Sequence, residues 1–162
     1  MTRAAAAVLL LAAALPAACG YRLGPAAPLA GATTVAMPVF ENRTFRRGVE
    51  TDLARLLSSE LIGRSRLRLV ETGADLVVDG VIVAVEESVH SEREREVVRE
   101  SSVLVTVEFS VRDGRTGEPV VPVQRLTERE PFVPAIGESL RSARAETLRR
   151  LASDIVDRLE AK

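Results

Sequence analysis

Between positions 48 and 62, apolar residues recur at helical spacing. Val49, Leu53, Leu56, Leu57 and Leu61 fall on a single face, which predicts an amphipathic helix over about Gly48–Ile62. Glu50 and Asp52 lie in its first turn and Arg64 follows its last, each favourable to the helix dipole. Gly63 is the expected terminator. Each leucine buried on such a face stabilises by roughly 1.5–3 kcal/mol, so the stripe must meet an apolar surface. A second stripe, Leu140, Leu148, Leu151, Ile155 and Leu159, predicts a helix over about Glu138–Ala161. Its solvated side carries the i, i+4 pairs Glu146–Arg150 and Asp154–Arg158.

Between the helices the period changes from 3.6 to 2. Ser102–Asp113 alternates cleanly, with Val103, Val105, Val107, Phe109 and Val111 against Leu104, Thr106, Glu108, Ser110 and Arg112. Ala74–Val89 is apolar on both sides, with Val77, Val81, Val83 and Val85 against Leu76, Val78, Ile82 and Ala84, as in a central strand. The charged stretch Ser88–Arg99 joins these two strands as a hairpin tip. Shorter strands are predicted at Thr33–Phe40 and Leu67–Glu71, and a last one runs through Val120–Thr127. Pro119 and Pro122 place that last strand at a sheet edge. Glu41-Asn42-Arg43-Thr44 reads as a polar loop, and Thr72-Gly73 and Asp113–Gly117 read as turns. The order β-α-β-β-β-β-α predicts an α+β two-layer sandwich, a mixed sheet with both helices packed on one face. The other face of a strand that is apolar on both sides is then covered by loops or by a partner protein. An exposed apolar patch of that kind favours the partner.

The chain opens differently. Met1–Arg3 is basic, Ala4–Ala14 is apolar, and Leu15-Pro16-Ala17-Ala18 brings small residues up to Cys19. That is the order of a secretory signal peptide. The apolar run is shorter than the about 20 residues a spanning helix needs. Small residues before a cysteine resemble the bacterial lipobox, although Pro16 stands where leucine is usual. On this reading residues 1–18 are removed and Cys19 carries lipid. Each buried methylene contributes about 0.8 kcal/mol, so several acyl chains anchor the protein almost permanently. Gly20 rather than Asp follows, which fits outer-membrane sorting. Residues 19–32, rich in Gly, Ala and Pro, form the lipidated N-terminus and linker, and 33–162 a single domain.

Composition narrows the function. Arg3 is the one charge in the leader, so 22 basic residues become 21 against 23 acidic. Such a balance exerts no overall pull on nucleic acid. The chain has one cysteine and no tryptophan, so it has no internal disulfide and builds its core from Val, Leu, Ile and Ala. His90 is the only histidine, and a nucleophilic Cys–His pair would require the acylated Cys19. There is no Gly-x-Ser-x-Gly motif, phosphate loop or metal-spaced cluster. Glu86, Glu87, Glu92, Glu94 and Glu96 alternate with arginine as a solvated hairpin end does. No enzyme, metal or cofactor is expected beyond the covalent lipid on Cys19. Arg93, Arg95 and Arg99 at the tip are candidates for binding lipid phosphates through bidentate hydrogen bonds. The competing reading is that neighbouring glutamates neutralise them.

Cys19-Gly20-Tyr21-Arg22-Leu23 resembles the mature start of the lipopolysaccharide-assembly lipoproteins, the LptE family. Thr34–Thr44 is similar to that family's first strand and loop, Gly48-Val49-Glu50 to its helix start, and Ala74–Gly80 to its long strand. The resemblance implies a non-catalytic outer-membrane lipoprotein facing the periplasm. It also implies a partnership with an LptD-like β-barrel in lipopolysaccharide transport. The strand-loop-helix opening is shared with LpoB-like synthase activators and curli-secretion lipoproteins, which would instead make the chain a periplasmic interaction module.

Overall fold

The computed structural model describes residues 29–89, 101–133 and 139–160. After a 3-10 turn at Leu29–Gly31 the elements are β1 (Thr34–Ala36), β2 (Glu41–Asn42), α1 (Val49–Arg64), β3 (Arg68–Leu69), β4 (Leu76–Val89), β5 (Ser101–Asp113), β6 (Pro119–Phe132) and α2 (Leu140–Glu160). The six strands make one mixed sheet in the order β3-β1-β4-β5-β6, with β2 also paired to β4. β1 and β2 run parallel to β4, whereas β4, β5 and β6 form an antiparallel meander. Both helices pack on one face. This is the α+β two-layer sandwich that the sequence predicts.

The core lies between that face and the helices. Val49, Leu53, Leu57 and Leu61 of α1 and Leu148, Leu151, Ile155 and Leu159 of α2 are buried, as are Val103, Val105, Val107, Phe109 and Val111 of β5. Leu56 and Leu140 are partly buried at its margin. The helices run side by side in the same direction. Asp52 and Arg55 of α1 neighbour Arg141 and Arg144 of α2 at one end. At the other end Arg64 pairs with Asp157 at 2.6 Å and Ser65 bonds to Glu160.

Four details differ from the sequence reading. First, the strand predicted at Thr33–Phe40 is interrupted. Met37–Phe40 leave the ladder, where Pro38 has no N–H to donate, and the chain resumes pairing at Glu41–Asn42, which are strand rather than loop. The excursion drives the Phe40 ring into the core against Gly80, where a Cβ would sit 2.2 Å from Phe40 Cε2. Second, a bulge lies between Ile82 and Ala84, with Val83 the extra residue. Val85 therefore joins Leu76, Val78 and Ile82 on the core side, opposite Val105, and Ala84 moves to the outer side, opposite Thr106. Third, α1 runs through Gly63, which has no left-handed conformation, and is closed at Ser65, whose N–H bonds to the Leu61 carbonyl at 2.9 Å. Fourth, Arg158 bonds to the Asp154 backbone carbonyl at 3.0 Å rather than to its carboxylate. The Glu146–Arg150 pair forms as expected, at 3.2 Å.

β6 lies at the edge, as its prolines require, and runs on to Phe132, past the expected Thr127. Pro122 falls where the β5–β6 register shifts, so its missing N–H interrupts no ladder bond.

One carboxylate fastens the two parallel strands at their starts. Asp75 Oδ2 accepts from the backbone N–H and the hydroxyl of both Thr33 and Thr34, at 2.8–3.0 Å. The Asp75 N–H donates in turn to Thr34 Oγ1 at 2.9 Å. These donors, the Thr33 amide foremost, hold the Asp75 pKa at about 2. A depressed pKa gives stability that is present above the ordinary carboxylate value and lost as pH falls toward 2. Asp75→Asn is therefore expected to melt below the wild type at pH 6. Thermal melts at stepwise lower pH should show the gap closing between pH 4 and pH 2. A gap that stays constant would show that the charge does not matter.

Candidate functional site

The sheet face turned away from the helices has no described element over it. Cross-strand register fixes its membership. On β4 it carries Val77, Asp79, Val81, Ala84 and Glu86, and on β5 it carries Ser102, Leu104, Thr106, Glu108, Ser110 and Arg112. Thr127 and Arg125 of β6 lie opposite Thr106 and Glu108, and Glu41 of β2 lies beside Val81. Val77, Val81, Ala84 and Leu104 are half-buried, and Ser102 and Thr106 between them are buried.

Most polar members of this face are paired with a neighbour. Arg112 Nε donates to Asp79 Oδ2 at 2.6 Å, and Arg125 Nη2 donates to Glu108 Oε1 at 2.7 Å. Arg43 takes Glu41 in a two-pronged bond at 2.9 and 3.0 Å, which lowers the carboxyl pKa and raises that of the guanidinium, with Glu108 adding to the latter. Ser88 and Ser102 hydroxyls meet at 3.2 Å, and Thr106 and Thr127 at 3.0 Å. Exposed pairs of this kind contribute about 0–1 kcal/mol each. Their larger effect is geometric, because they hold long side chains down around valines that stay half-buried. The result is an apolar patch with a self-neutralised polar rim, the anatomy of a protein-docking surface.

Beside this face, the loop between β2 and α1 is held from within. Asn42 donates to the Arg46 carbonyl at 2.8 Å and to Glu50 at 2.7 Å, and accepts from the Thr44 amide at 2.9 Å. Arg46 pairs with Glu87 at 2.8 Å. The loop presents Phe45 fully to solvent. Sequence reasoning passed over this side chain, although an aromatic among arginines in Asn42–Arg47 was the signal available.

Cys19, His90, Glu92, Arg93, Glu94, Arg95, Glu96 and Arg99 lie outside the described residues. The hairpin that carries most of them is present in register up to Val89 opposite Ser101. Glu86 is exposed and Glu87 is taken by Arg46, so neither belongs to an acidic cluster. Among the described residues there is no group of three or more His, Cys, Asp or Glu that could hold a metal. No described helix is long and apolar enough to cross a membrane.

A family model described as LptE, lipopolysaccharide-assembly, matches residues 32–162. No curated protein sequence matches the chain. Among solved structures, the hypothetical protein CT253 of Chlamydia trachomatis is 17% identical, with 79% of this chain and 95% of that one covered and a TM-score of 0.58. PelC of Paraburkholderia phytofirmans, solved as a dodecamer, is 17% identical over 86% of this chain and 96% of that one, with a TM-score of 0.51. Lipoprotein GNA1162 of Neisseria meningitidis is 11% identical over 80% and 99%, with a TM-score of 0.50. At these identities the shared property is the fold.

Proposed function

The chain belongs to the LptE lipopolysaccharide-assembly family, and on that premise we propose that it is a lipid-anchored partner of an LptD-like outer-membrane β-barrel in lipopolysaccharide transport and assembly. In this reading residues 1–18 are a leader that is removed. Cys19 is acylated and holds the chain at the outer membrane. Residues 19–32 tether the domain at 33–162 on the periplasmic side. The domain acts by docking, with no bond made or broken.

The observation that carries the proposal is the bare sheet face. Val77, Val81, Ala84 and Leu104 form an apolar centre between the Asp79–Arg112 and Glu108–Arg125 pairs. Contact with a barrel would remove this centre from water while the paired rim stays wet. Arg93, Arg95 and Arg99 extend the proposal to lipopolysaccharide itself, because guanidinium forks match phosphate oxygens.

The test is affinity purification of the lipidated, full-length protein from native envelopes. A large β-barrel recovered in stoichiometric amount supports the proposal. Recovery of a cell-wall synthase instead, or of a ring of this chain alone, would replace it with the interaction-module reading. In the same preparation, alanine at Arg93, Arg95 and Arg99 should weaken lipopolysaccharide binding while leaving the barrel bound. Unchanged binding removes the hairpin from the ligand site.

A further inference from the structure

The N-terminal halves of α1 and α2 lie beside each other and enclose a groove of about 450 Å³. Its wall carries Arg55 from α1 and Arg141, Arg144 and Arg149 from α2, against the single carboxylate of Asp52. Leu56, Ala145 and Leu148 make an apolar floor. No strand residue lines the groove, so it opens on the helix layer, away from the bare sheet face.

The electrostatics of this groove are unbalanced. Asp52 is committed to Arg55 at 2.8 Å, and Arg149 is paired with Glu146 outside the lining. Arg141 and Arg144 have no acidic partner among the described residues. They also sit where a cation is least favoured. The first turn of α2 has no acidic residue, and the positive ends of two parallel helix dipoles meet here. Ser139 caps α2, its hydroxyl accepting the Ser142 N–H at 3.1 Å, so the helix start is well formed. Among the described residues, two guanidiniums without an acidic partner, two paired ones at the rim and two helix starts thus converge on one groove lined by a single carboxylate.

We propose that this groove binds a phosphate or diphosphate group, free or as a lipid headgroup, with Arg141 and Arg144 as its principal ligands and Arg55 and Arg149 at its rim. Guanidinium is the appropriate donor, since its planar fork pairs with two phosphate oxygens at once. The apolar floor admits the carbon skeleton next to such a group. This site is separate from the hairpin arginines and does not depend on the barrel partnership.

The experiment uses the full-length protein in detergent and the double variant Arg141→Ala/Arg144→Ala. Both side chains lie at the helix surface, so the variant should fold, and circular dichroism verifies that it does. One arm titrates inorganic pyrophosphate by calorimetry at fixed ionic strength, with chloride as the control salt. The other measures capture on phosphatidylcholine vesicles with and without phosphatidic acid. The wild type should bind in at least one arm, and the double variant at least tenfold more weakly in that arm. Binding of pyrophosphate identifies a free-phosphate site. Binding of phosphatidic acid vesicles alone identifies a headgroup site. Equal binding by wild type and variant, or no binding in either arm, overturns the proposal.

Discussion

Gly80→Ala is expected to destabilise the domain by about 1–3 kcal/mol, the cost of forcing extra volume into a well-packed core. The added methyl would lie 2.2 Å from Phe40 Cε2 and 2.4 Å from Cδ2, well inside van der Waals contact. Gly80 sits in the middle of β4, opposite Phe109, where a strand would ordinarily hold a β-branched residue. The space is instead filled by a ring delivered from Met37–Phe40, the segment that breaks the first strand. Neither feature stands without the other. Phe40→Leu should therefore rescue part of the loss, and a double-mutant cycle should give a coupling of about 0.5–3 kcal/mol. Urea unfolding with an unchanged slope reads both numbers. Strictly additive losses would show that the ring and the glycine do not constrain each other.

This pair also shows where sequence reasoning runs out. Val49, Leu53, Leu57 and Leu61 announce their helix because its period is local, and β5 announces itself through strict alternation from Val103 to Val111. Pro119 and Pro122 mark the edge strand because a missing donor has the same consequence in any fold. The exchange between Phe40 and Gly80 depends on two segments meeting in space, which no window of residues contains. The Val83 bulge is hidden for another reason. The residues on both sides of β4 are apolar, so sliding the alternation by one position changes no polarity. Asp75 binding Thr33 and Thr34 is likewise a contact between distant segments. The arginine groove was half visible. Arg141 and Arg144 near a helix start run against the dipole preference, but the expected start also carries Glu138, and only the observed start at Leu140 and the parallel packing of α1, which brings Arg55 to the same place, define the groove.

Two neighbours on β4 separate the fold from the docking surface. Ile82 is fully buried beneath the helices, opposite Val107, whereas Val81 is half-buried on the bare face beside Glu41. Ile82→Ala is expected to destabilise by about 2–5 kcal/mol, the transfer loss plus the cavity left behind. The midpoint of urea unfolding would report it. Val81→Ala should change stability by less than about 1 kcal/mol, because little around Val81 closes over it. Partner binding should rank a companion pair differently. Val81→Asp adds an uncompensated charge at the centre of the proposed interface, where a desolvated polar group is costly. It should abolish recovery of the barrel from envelopes while leaving the domain folded. Ile82→Val, a mild core change of about 0.5–1.5 kcal/mol, should leave recovery intact. If Val81→Asp purified with its full complement of barrel, the bare face would not be the docking surface, and the rigid loop that presents Phe45 would be the next surface to alter.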